Sequence, residues 1–246
     1  MRRRSLFIFI RAAATAWQFA AISQFDGSAM AVEAVTATRA VMVYGSFGAC
    51  NGVVLAQDLV LTAAHCVVGR ADFKIAGLID DTLYSLADVA AAEPHPKYIA
   101  ATAPAPVTVP DMALLSLVKP LPLPFGPALL ATRKVAIGDR VEVVGRTAPW
   151  GGRSTESAGM AVFSVRRVDS HMLVLDNQPG YGEVNRLGGC YGFSGSPVFA
   201  IRTGVPLLAG IVRGGFCGDS IFVTPIPPFR DWLAKTAKRL GSPLAE

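Results

Sequence analysis

The sequence predicts an all-β protein of the sandwich or barrel type, on three observations. Short apolar runs recur between turn residues, 24 Gly and 17 Pro punctuate a chain of 246 residues, and 52% of residues are hydrophobic against 17% charged. Many short strands with such punctuation are the pattern of packed or closed antiparallel sheets. The apolar fraction excludes a disordered chain, and the absence of a three-residue glycine period excludes a collagen-like one. The length suits one large domain or two small ones.

The N-terminus reads differently from the rest. Arg2, Arg3 and Arg4 precede an apolar stretch that ends at Ala29-Met30-Ala31, the basic, apolar and small-x-small order of a secretory signal over residues 1–31. Cleavage is expected after Ala31, with Ala21 and Ala29 as alternatives. Arg11 interrupts the apolar stretch, and a retained amphipathic anchor is the competing reading. Mean hydropathy is high at +0.42, but no run reaches the roughly 20 apolar residues of a bilayer span. Residues 32–246 are therefore expected to form the exported domain, secreted or periplasmic, without stable membrane insertion after signal cleavage. The net charge of +5 falls to about +2 once residues 1–31, which hold four Arg and Asp26, are removed. No basic surface remains to argue for a nucleic-acid partner.

Strands are expected at residues 40–44, 52–56, 59–62, 73–77 and 113–118. A second set is expected at 141–145, 160–168, 172–175, 197–201, 207–212 and 221–224. Between the sets lies Lys119-Pro120-Leu121-Pro122-Leu123-Pro124-Phe125-Gly126-Pro127. Such a segment neither continues a helix nor sits in a central strand, so a connector between two β-units is expected near 119–130. One helix is expected at the end, where Phe229, Trp232, Leu233, Thr236, Ala237 and Leu240 share a face. Pro227 and Pro228 precede it, basic residues crowd its last turns, and Gly241 and Pro243 stop it.

Four cysteines in an exported chain are read as two disulfides. Cys50, Cys66, Cys190 and Cys217 allow three pairings and show no CxxC spacing, so no metal site is expected. Local pairing, Cys50 with Cys66 and Cys190 with Cys217, closes short loops and is preferred over arrangements that tie the two ends of the chain together.

Chemistry concentrates in three segments. His65 follows a strand in Thr62-Ala63-Ala64-His65-Cys66, Asp111 opens an apolar strand in Asp111-Met112-Ala113-Leu114-Leu115, and Ser194 lies in Gly192-Phe193-Ser194-Gly195-Ser196-Pro197. Each has an ordinary structural reading on its own. Glycines on both sides of Ser194, however, permit a tight turn that exposes the hydroxyl and aims amide N–H groups at one point, the geometry an oxyanion needs.

Together the segments resemble the signatures T-A-A-H-C, D-I-A-L-L and G-D-S-G-G-P of the chymotrypsin/trypsin-like serine protease family, in that family's chain order. Further similarity lies in Cys50-Asn51-Gly52, His95-Pro96-Lys97-Tyr98, Gly210-Ile211-Val212 and Asp231-Trp232-Leu233, so the resemblance covers residues 41–233. It implies two antiparallel six-stranded β-barrels with a C-terminal helix, a cleft between the barrels, and the same two disulfides that locality suggests. It also implies Ser194 as nucleophile, His65 as general base and then acid, Asp111 as the group orienting the imidazole, and the backbone N–H groups of Gly192 and Ser194 as oxyanion donors. The substrate would be a polypeptide, and no cofactor is required.

The departures carry information too. Phe193 stands where the family has an acid, Ser196 where it has a second Gly, and Arg213-Gly214-Gly215 where it has Ser-Trp-Gly along the strand that grips residues upstream of the scissile bond. Arg213 is expected near Asp111, with a plain salt bridge as its simplest role. Phe193 offers no carboxylate to an inserted N-terminal ammonium, so its ring is expected to be buried in the core beneath the nucleophile turn. By the resemblance Gly188 lies at the base of the primary specificity pocket and Ile221 on its wall, which predicts small or medium apolar side chains rather than Lys or Arg. The expected function is an exported serine endopeptidase working through an acyl-enzyme. The alternative is a catalytically silent binding module on the same fold.

Overall fold

Strands with alternating destinations for their side chains build two closed barrels. In the computed structural model, residues 35–46, 48–79, 82–100, 109–147, 157–177, 193–202, 204–215 and 220–245 are described. Residues 1–31, expected to be a signal, and Gly188, Gly192, Cys190 and Cys217 lie outside these residues.

The first barrel contains β1 (Ala40–Gly45), β2 (Gly48–Ala56), β3 (Leu59–Thr62), β4 (Lys74–Ile79), β5 (Thr82–Pro94) and β6 (Ala113–Leu117), and closes in the order β1-β2-β3-β6-β5-β4. The second contains β8 (Arg140–Thr147), β9 (Ser157–Val168), β10 (Leu173–Asn177), β11 (Pro197–Arg202), β12 (Val205–Gly215) and β13 (Ser220–Pro225). It runs β11-β8-β9-β10-β13-β12 and is closed by β11 pairing with β12, while the short β7 (Leu129–Leu130) adds in parallel to β12.

β5 has no counterpart among the expected strands. Its sequence is rich in Ala and alternates weakly, and most of its side chains face solvent, so neither propensity nor burial marks it. Its pairing with both β4 and β6 makes it a strand.

Alternation explains why the other strands read as continuous apolar runs. Val54, Val60, Ala113 and Leu115 point into the first barrel, and Val141, Val143, Val198 and Val212 into the second. Their neighbours Val53, Leu55, Leu59, Leu61 and Leu114 meet Val144, Phe199, Leu208 and Ile211 in a third cluster between the barrels. A strand buried on both faces has no polar side to display.

The helix α1 (Arg230–Arg239) follows a 3-10 turn at Pro227–Phe229 and buries Leu233, Thr236 and Ala237. Gly241 takes φ +86°, and Ser242 N–H donates to the Ala237 carbonyl, a left-handed close that glycine permits. Among the described residues no helix is long and apolar enough to cross a membrane.

Candidate active site

Register brings His65 and Asp111 together. β3 and β6 are antiparallel with Thr62 opposite Ala113, so the residues just past the end of β3 lie against those just before β6. His65 sits in the 3-10 turn Ala64–Cys66, whose neighbours Ala63 and Ala64 are small enough to be fully buried. The Asp111 carboxylate accepts from the His65 backbone N–H at 3.0 Å and contacts the ring Nδ1 at 2.7 Å. Two bonds to one buried carboxylate fix the loop and the ring at once. Asp111 is only 4% exposed, and its own backbone carbonyl accepts from the Thr224 hydroxyl of the second barrel at 3.3 Å.

A disulfide joins Cys50 of β2 to Cys66 beside His65, as the sequence predicts. Cys66 Sγ lies 3.6 Å from His65 Nε2. The two sulfurs and the imidazole lie within 4.8 Å of one another, a grouping with metal-ligand chemistry only as free thiolates. The disulfide consumes both.

The Ser194 turn is held from both barrels. Asn51 N–H of β2 donates to the Ser194 carbonyl at 2.7 Å, and Gly195 N–H donates to the Val212 carbonyl of β12 at 2.7 Å. The Thr62 hydroxyl donates to the Asn51 carbonyl at 2.6 Å, so a short path runs from Ser194 through Asn51 to the segment that carries His65. Gly195 takes φ +80°, and a Cβ there would lie 2.0 Å from the Asn51 carbonyl oxygen. Only glycine fits where the barrels touch this closely.

Phe193 turns into the second barrel core and is 5% exposed. Its ring passes over Gly145 of β8, where a Cβ would come within 3.3 Å of it and 2.6 Å of the Ser196 hydroxyl. Gly145 therefore makes the space that the unusual Phe193 and Ser196 occupy. No signal in the sequence linked these positions, because the contact depends on barrel closure.

Arg213 does not form the salt bridge expected of it. Among the described residues no ion pair joins it to Asp111; its Nη1 donates instead to the Val109 carbonyl at 3.2 Å. Past it, Gly214 and Gly215 pair with Phe222 and Ile221 of β13, whereas pairing with β11 stops at Ile211. One edge of β12 is thus open among the described residues beside the Ser194 turn. Ile221 is buried against Gly215.

The trypsin family model matches residues 29–233. A trypsin of Sarcophaga bullata is 26% identical over 215 residues, 78% of this chain and 80% of that one. Kallikrein-related peptidase 10 in complex with Zn2+ shares the fold at a TM-score of 0.61 and 22% identity, over 82% of this chain and 96% of that structure. Neuropsin, a serine protease expressed in the limbic system of mouse brain, has a TM-score of 0.61 and 19% identity, over 81% and 94% of the two chains.

Proposed function

The chain belongs to the trypsin family and is a serine-type endopeptidase, and on that premise we propose that Ser194, His65 and Asp111 carry its reaction. The observation that supports this reading most is the buried Asp111 carboxylate bonded to both the backbone N–H and Nδ1 of His65. With Nδ1 occupied, Nε2 is the nitrogen left to exchange a proton.

Ser194 Oγ attacks the scissile carbonyl while His65 Nε2 takes its proton, and Asp111 stabilises the resulting imidazolium without itself being protonated. The tetrahedral oxyanion receives hydrogen bonds from the backbone N–H groups of Gly192 and Ser194. Collapse expels the amine, which takes the proton from His65, and leaves an acyl-enzyme. Water, deprotonated by His65, attacks this ester and returns Ser194. The polypeptide lies as an added strand along the open edge of β12 at residues 213–215. Its primary side chain is small or medium and apolar, since Gly188 brings no carboxylate and Ile221 fills space beside Gly215. Export behind the 1–31 signal accords with the Cys50–Cys66 disulfide, which persists in oxidising compartments.

Turnover of an unfolded protein substrate by the purified chain tests the assignment. Ser194→Ala and His65→Ala are expected to lower kcat by about 10⁴-fold or more, and Asp111→Asn by a similar factor because the tautomer is lost. A Ser194→Ala protein as active as the wild type would overturn it.

A further inference from the structure

Among the described residues, no carboxylate pairs with Arg213, a cation beside the proposed triad. Arg213 leaves β12 in the second barrel, and its Nη1 reaches the Val109 carbonyl of the first barrel, two residues before Asp111. That neutral acceptor engages one of five guanidinium donors. Asp111 is already bonded twice to His65. A second guanidinium, Arg70, donates to the Cys66 carbonyl at 3.4 Å beside His65. Tyr98 reports on the same corner. Burial raises its phenol above the ordinary range and Asp111 raises it further, while Arg213 and Arg70 oppose them. Both guanidiniums are therefore within electrostatic reach of the corner that holds Asp111.

Beyond Arg213 the strand carries no side chain of its own. A Cβ on Gly214 would meet nothing within 4 Å, and Gly215 is exposed. Among the described residues, a peptide side chain over this stretch meets backbone and a guanidinium, with no apolar wall at Gly214.

Resting on the peptidase reading of this cleft, we propose that Arg213 is a specificity-determining residue that binds the carboxylate of an Asp or Glu at one of the two positions just before the primary apolar residue of the substrate. The planar fork of a half-buried guanidinium suits a carboxylate in two parallel hydrogen bonds and gains little from an uncharged amide. The substrate class is thus an acidic polypeptide segment ending in a small or medium apolar residue.

The test measures binding apart from turnover. Eight-residue fluorescent peptides, identical except for Glu or Gln at one of the two positions, are titrated by anisotropy against the Ser194→Ala chain. At 50 mM salt the Glu peptide is expected to bind about tenfold tighter at one of the positions, with the margin shrinking at 0.5 M. Arg213→Gln in the same background levels the pair, and Arg213→Lys keeps the order with a smaller margin. Equal affinities for Glu and Gln, or a Glu preference that survives Arg213→Gln, would overturn the proposal. The comparison of the two peptides on the chain with Arg213 intact stands even where Arg213→Gln fails to fold. A Glu preference in a protein whose wild-type Ser194 takes no fluorophosphonate supports the charge selection and rejects the peptidase reading alone.

Discussion

His95 shows how a single residue ties the C-terminal helix to the segment that carries Asp111. It is 7% exposed, its ring lies against Phe229 and Trp232 at centroid distances of 5.3 and 4.7 Å, and its backbone N–H donates to Met112 beside Asp111. The Lys97 backbone N–H donates to Nδ1 at 3.1 Å, which keeps the ring neutral with its hydrogen on Nε2. Burial first, then Lys97 and His171, lowers its pKa from 6.5 to about 4. The unfolded chain binds this proton near 6.5 and the folded one only near 4, so between those values protons favour unfolding. Stability from this site is full above pH 6.5 and falls as the pH drops towards 4. Urea unfolding of wild type and His95→Phe at pH 7, 5.5 and 4.5 checks this: the wild type's advantage is expected to shrink with each step down. A pH-independent difference would show that His95 does not titrate in this window.

At the scale of elements, the Ser194 turn depends on two glycines of opposite legibility. Gly195 stands inside the signature around Ser194 and announces itself in the sequence. Gly145 looks like the ordinary end of a strand, yet its missing side chain admits Phe193 and the Ser196 hydroxyl. Gly195→Ala would push a methyl group onto the Asn51 carbonyl and the Thr62 hydroxyl in a left-handed backbone. The expected result is a displaced Ser194 and a loss of about 10²-fold in kcat/KM, with far-UV circular dichroism unchanged. Activity near the wild-type level would mean that the turn relaxes without cost. The same contrast runs through the strands. β3 and β6 are legible because burial on two faces makes them mostly apolar, and α1 because its buried face, prolines and Gly241 agree. β5 is not, since a largely exposed strand held by backbone pairing on both sides leaves little trace in its side chains.

In the whole molecule, the proposed catalytic geometry is a property of how two barrels meet. His65 and Asp111 belong to the first barrel, and the Ser194 turn is bonded to both, through Asn51 and Val212. The apolar cluster between the barrels, from Leu59 and Leu61 to Phe199, Leu208 and Ile211, sets their separation. Sequence segments pointed to the family because its reaction demands particular residue types at these positions. They placed Arg213 near Asp111 but not its partner, because its bond to the Val109 carbonyl depends on the docking of one barrel on the other. The central claim is that this docking makes Ser194 a nucleophile activated by His65. Fluorophosphonate labelling of the purified protein, with the adduct located by peptide mass mapping, tests it most directly. The account predicts one adduct per chain, on Ser194, formed rapidly in the wild type and slowed by about 10³-fold or more in His65→Ala. An adduct on another residue, or labelling of Ser194 at the same rate without His65, would contradict it.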